Sequence, residues 1–176
     1  MSLEEKIKTT IRDVPDFPKP GILFKDISPI MLDPILSGEI VQDLVQRYSL
    51  NPPDAIAGIE SRGFLFGYPL AMQLGVPFIL IRKEGKLPYK KVRFAYQLEY
   101  GEAVVEMHSD AIREGQRVLI HDDLLATGGS AAAAASLIQQ VKGEVYGFSF
   151  LVSLDFLGGE KKLTDFSDNI HNLVRF

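Results

Sequence analysis

Cysteine and tryptophan are both missing from this chain of 176 residues. Without cysteine, neither a disulfide framework nor a thiolate zinc site can form. Histidine is scarce as well, at three residues, and no His, Asp and Glu grouping has the spacing of a protein metal site. Basic charge does not dominate: 19 Lys and Arg against 23 Asp and Glu leave a formal net charge of −4, the wrong sign for general nucleic-acid binding. No apolar run approaches the ~18 residues of a membrane span, and the acidic, amphipathic start is unlike a signal peptide. A cytoplasmic protein without nucleic-acid or membrane partners is expected. Repeats and low-complexity linkers are lacking too, which leaves a single domain, 1–176, long enough for a sizeable core.

What the chain does have is concentrated between Arg117 and Ser136. Glu114-Gly115-Gln116 is a turn signal, and Val118-Leu119-Ile120 reads as a short buried strand of an α/β sheet. Asp122 and Asp123 follow, then the small-residue loop Ala126-Thr127-Gly128-Gly129-Ser130, then alanines 131 to 135 opening a helix. Glycines admit close backbone approach, Thr127 and Ser130 add hydroxyls, and the free N–H groups of a helix's first turn attract anions. The plain alternative is a strand–turn–helix connection with a Ser/Thr cap. No Lys follows the second glycine and there is no GxGxxG, so two common phosphate loops are excluded. Carboxylates beside a phosphate repel it unless they grip hydroxyls or act through a metal. A sugar phosphate satisfies both halves of the stretch.

From the beginning, Ser2 to Ile11 has helical spacing with Ser2 as N-cap, and Val14 to Pro20, with its prolines, is expected to be irregular. Residues 21–27 read as an extended apolar segment and 33–48 as an amphipathic helix. Asp54 to Ile59 is a strand, and the turn Glu60-Ser61-Arg62-Gly63 after it falls on the edge where open α/β sheets bind ligands. A helix over 64–74 and a strand over 78–81 come next. Arg82, Lys83 and Lys86 then form either a second anion site or a solvated charged loop. Phe94–Leu98 is expected to pair with Ala103–Met107 as a hairpin. Beyond the central loop lie a helix to Val141 closed by Lys142-Gly143, a strand over 144–154, and a last edge strand over 170–176. His121 shares a strand face with Leu119 and Asp123; a packed or solvent-facing histidine is the reading favoured over one that tunes Asp123.

Asp122 to Ser130, DDLLATGGS, resembles the 5-phosphoribosyl 1-pyrophosphate (PRPP) signature of type I phosphoribosyltransferases, in the form most similar to the adenine phosphoribosyltransferases. Further segments match in family order: PGxxFxDISP (20–29), ESRGF (60–64), YxLEYG (96–101) and, in part, LVSL (151–154). The resemblance implies an α/β fold with a central, mostly parallel sheet flanked by helices. To this it adds a small hood from about 12–32 and the C-terminal segment, and a flexible flap over about 87–107. The implied reaction is adenine plus PRPP giving AMP and pyrophosphate, in a homodimer, with Mg²⁺ carried by PRPP rather than by direct protein ligands.

The implied site residues follow from the matched motifs. Asp122 and Asp123 hold the ribose hydroxyls, and Ala126, Thr127, Gly128, Gly129 and Ser130 hold the 5′-phosphate. Arg62, Arg82, Lys83 and Lys86 take the pyrophosphate, some of them reaching into a neighbouring subunit's site. Backbone groups of Leu23 and Lys25 read the adenine edge, Phe24 stacks on the ring, and Leu154 covers its other face. Glu99 is the candidate proton donor or acceptor for the purine. The chain departs from the family pattern at Lys25, where Arg is usual, at Ser153, where Glu is usual, and at Ser130, where Thr is usual. The competing readings are the same fold acting on another purine base, and a catalytically inactive PRPP- or nucleotide-sensing regulator.

Overall fold

Ser2 caps the first helix, α1 (Leu3–Thr10): its hydroxyl accepts from the Glu5 amide and the Glu5 carboxylate accepts from the Ser2 N–H, a reciprocal capping box. The computed structural model describes residues 1–97 and 101–176. By contact they fall into two units, Met1–Arg47 and Tyr48–Phe176, each described by itself.

In the N-terminal unit α1 leads into β1 (Arg12–Pro15), which pairs antiparallel with β2 (Leu23–Asp26). Val14 and Pro15, expected to be irregular, are strand residues opposite Phe24 and Leu23. A proline at the end of a two-stranded ribbon can leave its nitrogen on the unpaired edge, so it costs no ladder bond. Helix α2 (Ser28–Met31) and helix α3 (Pro34–Tyr48) follow. Of the apolar residues at helical spacing, Leu36, Ile40 and Leu44 are buried and Val45 is half-buried.

The larger unit runs β3 (Ala55–Ile59), α4 (Gly63–Leu74), β4 (Phe78–Lys83), β5 (Lys91–Gln97), β6 (Glu102–His108), β7 (Arg117–Leu125), α5 (Gly129–Gln140), β8 (Glu144–Ser153), α6 (Glu160–Leu163) and β9 (Ile170–Arg175). Its sheet has the order β5-β6-β4-β3-β7-β8-β9. Strands β4, β3, β7, β8 and β9 are parallel, while β6 joins β4 antiparallel and carries β5 as a hairpin. The expected fold class is therefore the observed one. The C-terminal segment enters the large sheet as its edge strand β9, rather than the two-stranded ribbon.

Alternation along β7 assigns the two helices. Val118 and Ile120 pack with Phe148, Phe150 and the alanines of α5 into the main core; alanine's small side chain lets α5 lie close. Leu119, His121 and Asp123 point the other way, towards α4, where Gly63 allows contact: a Cβ there would stand 2.7 Å from the His121 carbonyl oxygen. The crossovers β3–α4–β4 and β7–α5–β8 thus leave in opposite directions from two neighbouring central strands. That is a topological switch point, and its crevice lies at the carboxyl ends of β3 and β7.

Several boundaries differ from those read in the sequence. Strand β7 does not stop near Ile120 but continues through both aspartates to Leu125. Pairing with β3 ends at Gly58↔His121, whereas β8 pairs as far as Leu125↔Ser153; one long neighbour suffices to hold a polar strand end. Helix α5 begins at Gly129 with Gly128 as its cap and no side-chain capping bond, so the loop is shorter than expected and no Ser or Thr closes it. At the other end Lys142, not Gly143, takes the left-handed conformation, at φ 62°.

Candidate active site

The end of β7 and the start of α5 line one cleft of about 630 Å³. Asp122, Leu124 and Leu125 form its floor with Phe150 of β8, and Ala126 to Ala131 wrap its rim. Gly128 has φ 78°, a conformation cheap only for glycine. It turns the chain so that the first amides of α5, which have no helical acceptor, come to the cleft. Three residues the sequence reading did not single out as site residues, Tyr96, Gln97 and Lys162, complete the wall. Tyr96 of β5 shares a 3.1 Å hydrogen bond between its hydroxyl and Ser130 Oγ, with its ring beside Gly129. Lys162 comes from α6. Tyr96 stood in a motif and could have been picked out; Lys162 follows a Gly-Gly turn whose partner loop is not legible locally.

Asp122 and Asp123 are adjacent in a strand and so face opposite ways. Asp122 is half-buried on the cleft side, and its Oδ1 accepts from the Asp123 amide at 2.9 Å. Asp123 is buried on the α4 side, where Arg62 Nε lies 3.0 Å from its Oδ2. Arg62 sits at the N-cap of α4, so the turn after β3 delivers a guanidinium to the buried Asp123 carboxylate just beyond the end of the β3 pairing. Burial raises both carboxyl pKa values above the usual range, and the two charges repel; Arg62 opposes the rise at Asp123. Asp122, desolvated and facing the Asp123 charge, is shifted well above its ordinary value despite some opposition from Arg62.

The basic run splits into different roles. Arg82 is committed to Glu60 through Nε at 3.2 Å and Nη2 at 2.9 Å, and its Nη1 donates to the Lys86 carbonyl at 3.0 Å. Glu60 also accepts from the Lys83 amide, and Arg82 holds its carboxyl below the ordinary range. Arg82 thus braces the turn that carries Arg62, while Lys83, the last residue of β4, and Lys86, in the loop after it, are both exposed. His121 is wholly buried, with Nδ1 3.2 Å from Ser149 Oγ. Burial lowers its pKa to about 4, so it is the packed, neutral histidine of the favoured reading. Ser153, where Glu was usual, is buried and donates to Asp155 at 2.7 Å.

In the N-terminal unit Leu23, Phe24 and Lys25 lie on β2. Phe24 meets Phe17 edge-on, with ring centroids 5.1 Å apart, and Lys25 Nζ contacts Asp13 Oδ1 at 2.7 Å. Leu154, in the larger unit, is half-buried just past β8, with its amide donating to the Leu125 carbonyl at 2.9 Å. Glu99 lies outside the described residues. Among the described residues no three His, Cys, Asp or Glu side chains gather as a metal cage, and no helix is long and apolar enough to cross a membrane.

A mostly parallel sheet with a switch-point crevice, an acidic strand end and an amide-rimmed loop suits a sugar-phosphate ligand and hence a transferase acting on one. The phosphoribosyl transferase domain model matches residues 32–167. An adenine phosphoribosyltransferase of Cytophaga hutchinsonii is 52% identical over 174 residues, 99% of this chain and 96% of that one; one from Ureaplasma parvum is 52% identical over 97% and 96%. The crystal structure of adenine phosphoribosyltransferase from Thermoanaerobacter pseudethanolicus superimposes with a TM-score of 0.94 at 47% identity, covering 99% of this chain and 100% of that one. The Saccharomyces cerevisiae enzyme, in complex with D-2,5-dideoxy-2,5-imino-altritol 1,6-bisphosphate and adenine, gives 0.90 at 39% identity over 97% and 98%. The chain belongs to the phosphoribosyl transferase family and, within it, to the adenine phosphoribosyltransferases.

Proposed function

We infer that this chain transfers the 5-phosphoribosyl group of PRPP to adenine, releasing AMP and pyrophosphate. The observation that carries the reading is one cleft in which a half-buried carboxylate, Asp122, stands beside the amide rim of Ala126 to Ser130. Phosphate and ribose hydroxyls are neighbours in such a ligand. The yeast relative's complex with adenine and a sugar-like bisphosphate supports the same ligand pair. At the reacting carbon the bond to pyrophosphate breaks as the bond to purine N9 forms, and the N9 proton is lost. Positive charge develops on the ribose, as in other glycosyl transfers. Asp122 and Asp123 are assigned to the ribose hydroxyls and to that charge. Arg62, Lys83 and Lys86 take the leaving group, with Arg82 acting through Glu60. Leu23, Phe24, Lys25 and Leu154 keep their assignment to the base, and Glu99 its assignment to proton transfer.

Mg²⁺ is assigned to the substrate. It prefers substrate phosphates and keeps several of its waters, so the phosphates of PRPP can carry it without a direct protein ligand. It would neutralise charge on the departing pyrophosphate. Chelating Mg²⁺ with EDTA is expected to abolish pyrophosphate release from PRPP and adenine, with recovery on adding Mg²⁺ back; turnover unaffected by EDTA would refute this assignment. Tyr96→Phe keeps the ring but removes the hydroxyl on Ser130. A net hydrogen bond of about 1 kcal/mol corresponds to a roughly fivefold higher KM for PRPP, with little change in kcat; an unchanged KM means the hydroxyl plays no part.

The reading brings with it a cytoplasmic homodimer. An exposed apolar stripe on α4, formed by Leu65, Tyr68 and Met72, supports a covered face there. Sedimentation at twice the chain mass is the expected result, and sedimentation as a monomer would remove the dimer.

A further inference from the structure

The rim of the cleft contains amides and two hydroxyls but no cation, and Asp122 brings negative charge into the same space. A phosphate monoester near neutral pH carries between one and two negative charges. Neutral donors alone leave that charge uncompensated beside a carboxylate. Among the described residues lining the cleft, Lys162 is the one cation.

Its placement is built into the fold. Beyond β8 the chain makes a 3-10 turn, Asp155–Leu157, then Gly158 and Gly159, and enters the single turn of α6. Gly159 lies backbone-to-backbone on the phosphate loop: a Cβ on Gly128 would stand 2.6 Å from Gly159 O, and one on Gly159 would collide with Ala126 O. Tethers to β9 fix the turn from behind. Arg175 reaches Asp155 Oδ1 at 3.2 Å and Glu160 Oε1 at 2.7 Å, and Asn172 Nδ2 donates to Glu160 Oε1 at 2.6 Å. Leu163 is fully buried and anchors the end. With Glu160 tied to β9 and Leu163 inward, Lys162 is left on the cleft, while Lys161 beside it does not line it. Lys162 has no ion pair among the described residues.

We propose that Lys162, carried to the phosphate loop by the Gly128–Gly159 contact, is the cation that binds the 5′-phosphate of the phosphoribosyl group and of the nucleotide product. This rests on the reaction inferred above and adds a residue from outside the signature loop. The 5′-phosphate does not react, so its binding energy is available for holding the ribose in place. Lys162 is a phosphate-binding residue, with no part in breaking or making bonds.

The test is titration calorimetry of ribose 5-phosphate and, separately, of Mg²⁺-pyrophosphate into the wild type, Lys162→Ala, Lys162→Arg and Lys161→Ala. Loss of one charge-assisted hydrogen bond corresponds to roughly tenfold to hundredfold weaker binding. Lys162→Ala should lose that much affinity for ribose 5-phosphate while binding pyrophosphate as the wild type does. Lys162→Arg should recover most of the loss, and Lys161→Ala should match the wild type. Because Lys162 is exposed, the Ala variant is expected to melt with the wild type. Unchanged ribose 5-phosphate affinity in Lys162→Ala overturns this inference and leaves the reaction standing. Equal weakening of both ligands, or equal weakening in Lys161→Ala, also overturns it, since the charge would then act without a specific partner. A wild type that binds no ribose 5-phosphate overturns the inference and the underlying reaction together.

Discussion

Asp122→Asn is expected to lower kcat/KM for PRPP by roughly 10²–10³-fold, the scale on which one preorganised electrostatic group is felt, while making the free protein more stable. The loss follows from position. Asp122 is the carboxylate on the cleft side of β7, in surroundings where a charge is poorly screened, next to where the ribose carbon becomes positive. Asparagine keeps the oxygen that accepts from the Asp123 amide, so the strand end should hold its shape. The stability gain follows from sign. Burial and the neighbouring carboxylate raise the Asp122 pKa well above its usual value, so the folded state binds this proton more tightly than the unfolded chain. Stability then falls as pH rises from the unfolded carboxyl pKa through the folded one, and the full cost is present above the latter. Removing the charge removes that cost. A melting temperature higher by about 2–4 °C is expected at neutral pH, the shift that ~1 kcal/mol produces in a chain of this length, with the gain vanishing in acid. Near-normal turnover would dismiss Asp122 from the reaction, and a lowered melting point would contradict its electrostatics.

Gly128→Ala should have the larger structural effect. The residue has φ 78°, which costs an L-amino acid roughly 1–2 kcal/mol. Its new Cβ would also stand 2.6 Å from the Gly159 oxygen. That atom is backbone tied into α6, so no flexible side chain can swing away. The loop, the first turn of α5 and α6 must shift together. A loss of ~2–4 kcal/mol is expected, seen as a melting point lower by roughly 5–12 °C, with KM for PRPP raised at least about a hundredfold as the amides lose their aim. An alanine variant that melts and binds PRPP like the wild type would mean that the loop does not depend on this conformation.

Much of this arrangement could be read from residue order, because the parts most determined by local chemistry are the most legible. The Ser2 cap, the periodic helix over 34–48 and the antiparallel pairing of β5 with β6 are local signals, and the structure has them. What eluded the sequence depends on partners far along the chain. Asp122 and Asp123 look like the start of a loop, yet they remain strand because β8 runs beside them to Ser153. Once the strand continues, alternation alone puts one aspartate on the cleft and the other on Arg62. Pro15 looked like a breaker but ends a ribbon strand. Arg82 reads as an anion contact, and only the fold reveals that Glu60 has taken its guanidinium. Lys162 lies more than thirty residues beyond the loop it faces; the turn Leu157 to Lys161 just before it resembles the family's, but the order of residues does not say which loop that turn packs against.

The central claim is tested most directly by offering the protein PRPP and Mg²⁺ with one base at a time (adenine, hypoxanthine, guanine, xanthine, uracil or orotate) and detecting nucleotide by chromatography. AMP from adenine, with no comparable product from the others, is the expected result. Preferred turnover of another base would keep the phosphoribosyl half of the account and contradict the adenine half. No nucleotide from any base, in protein that still binds PRPP, would contradict catalysis itself and leave a sensor of that ligand.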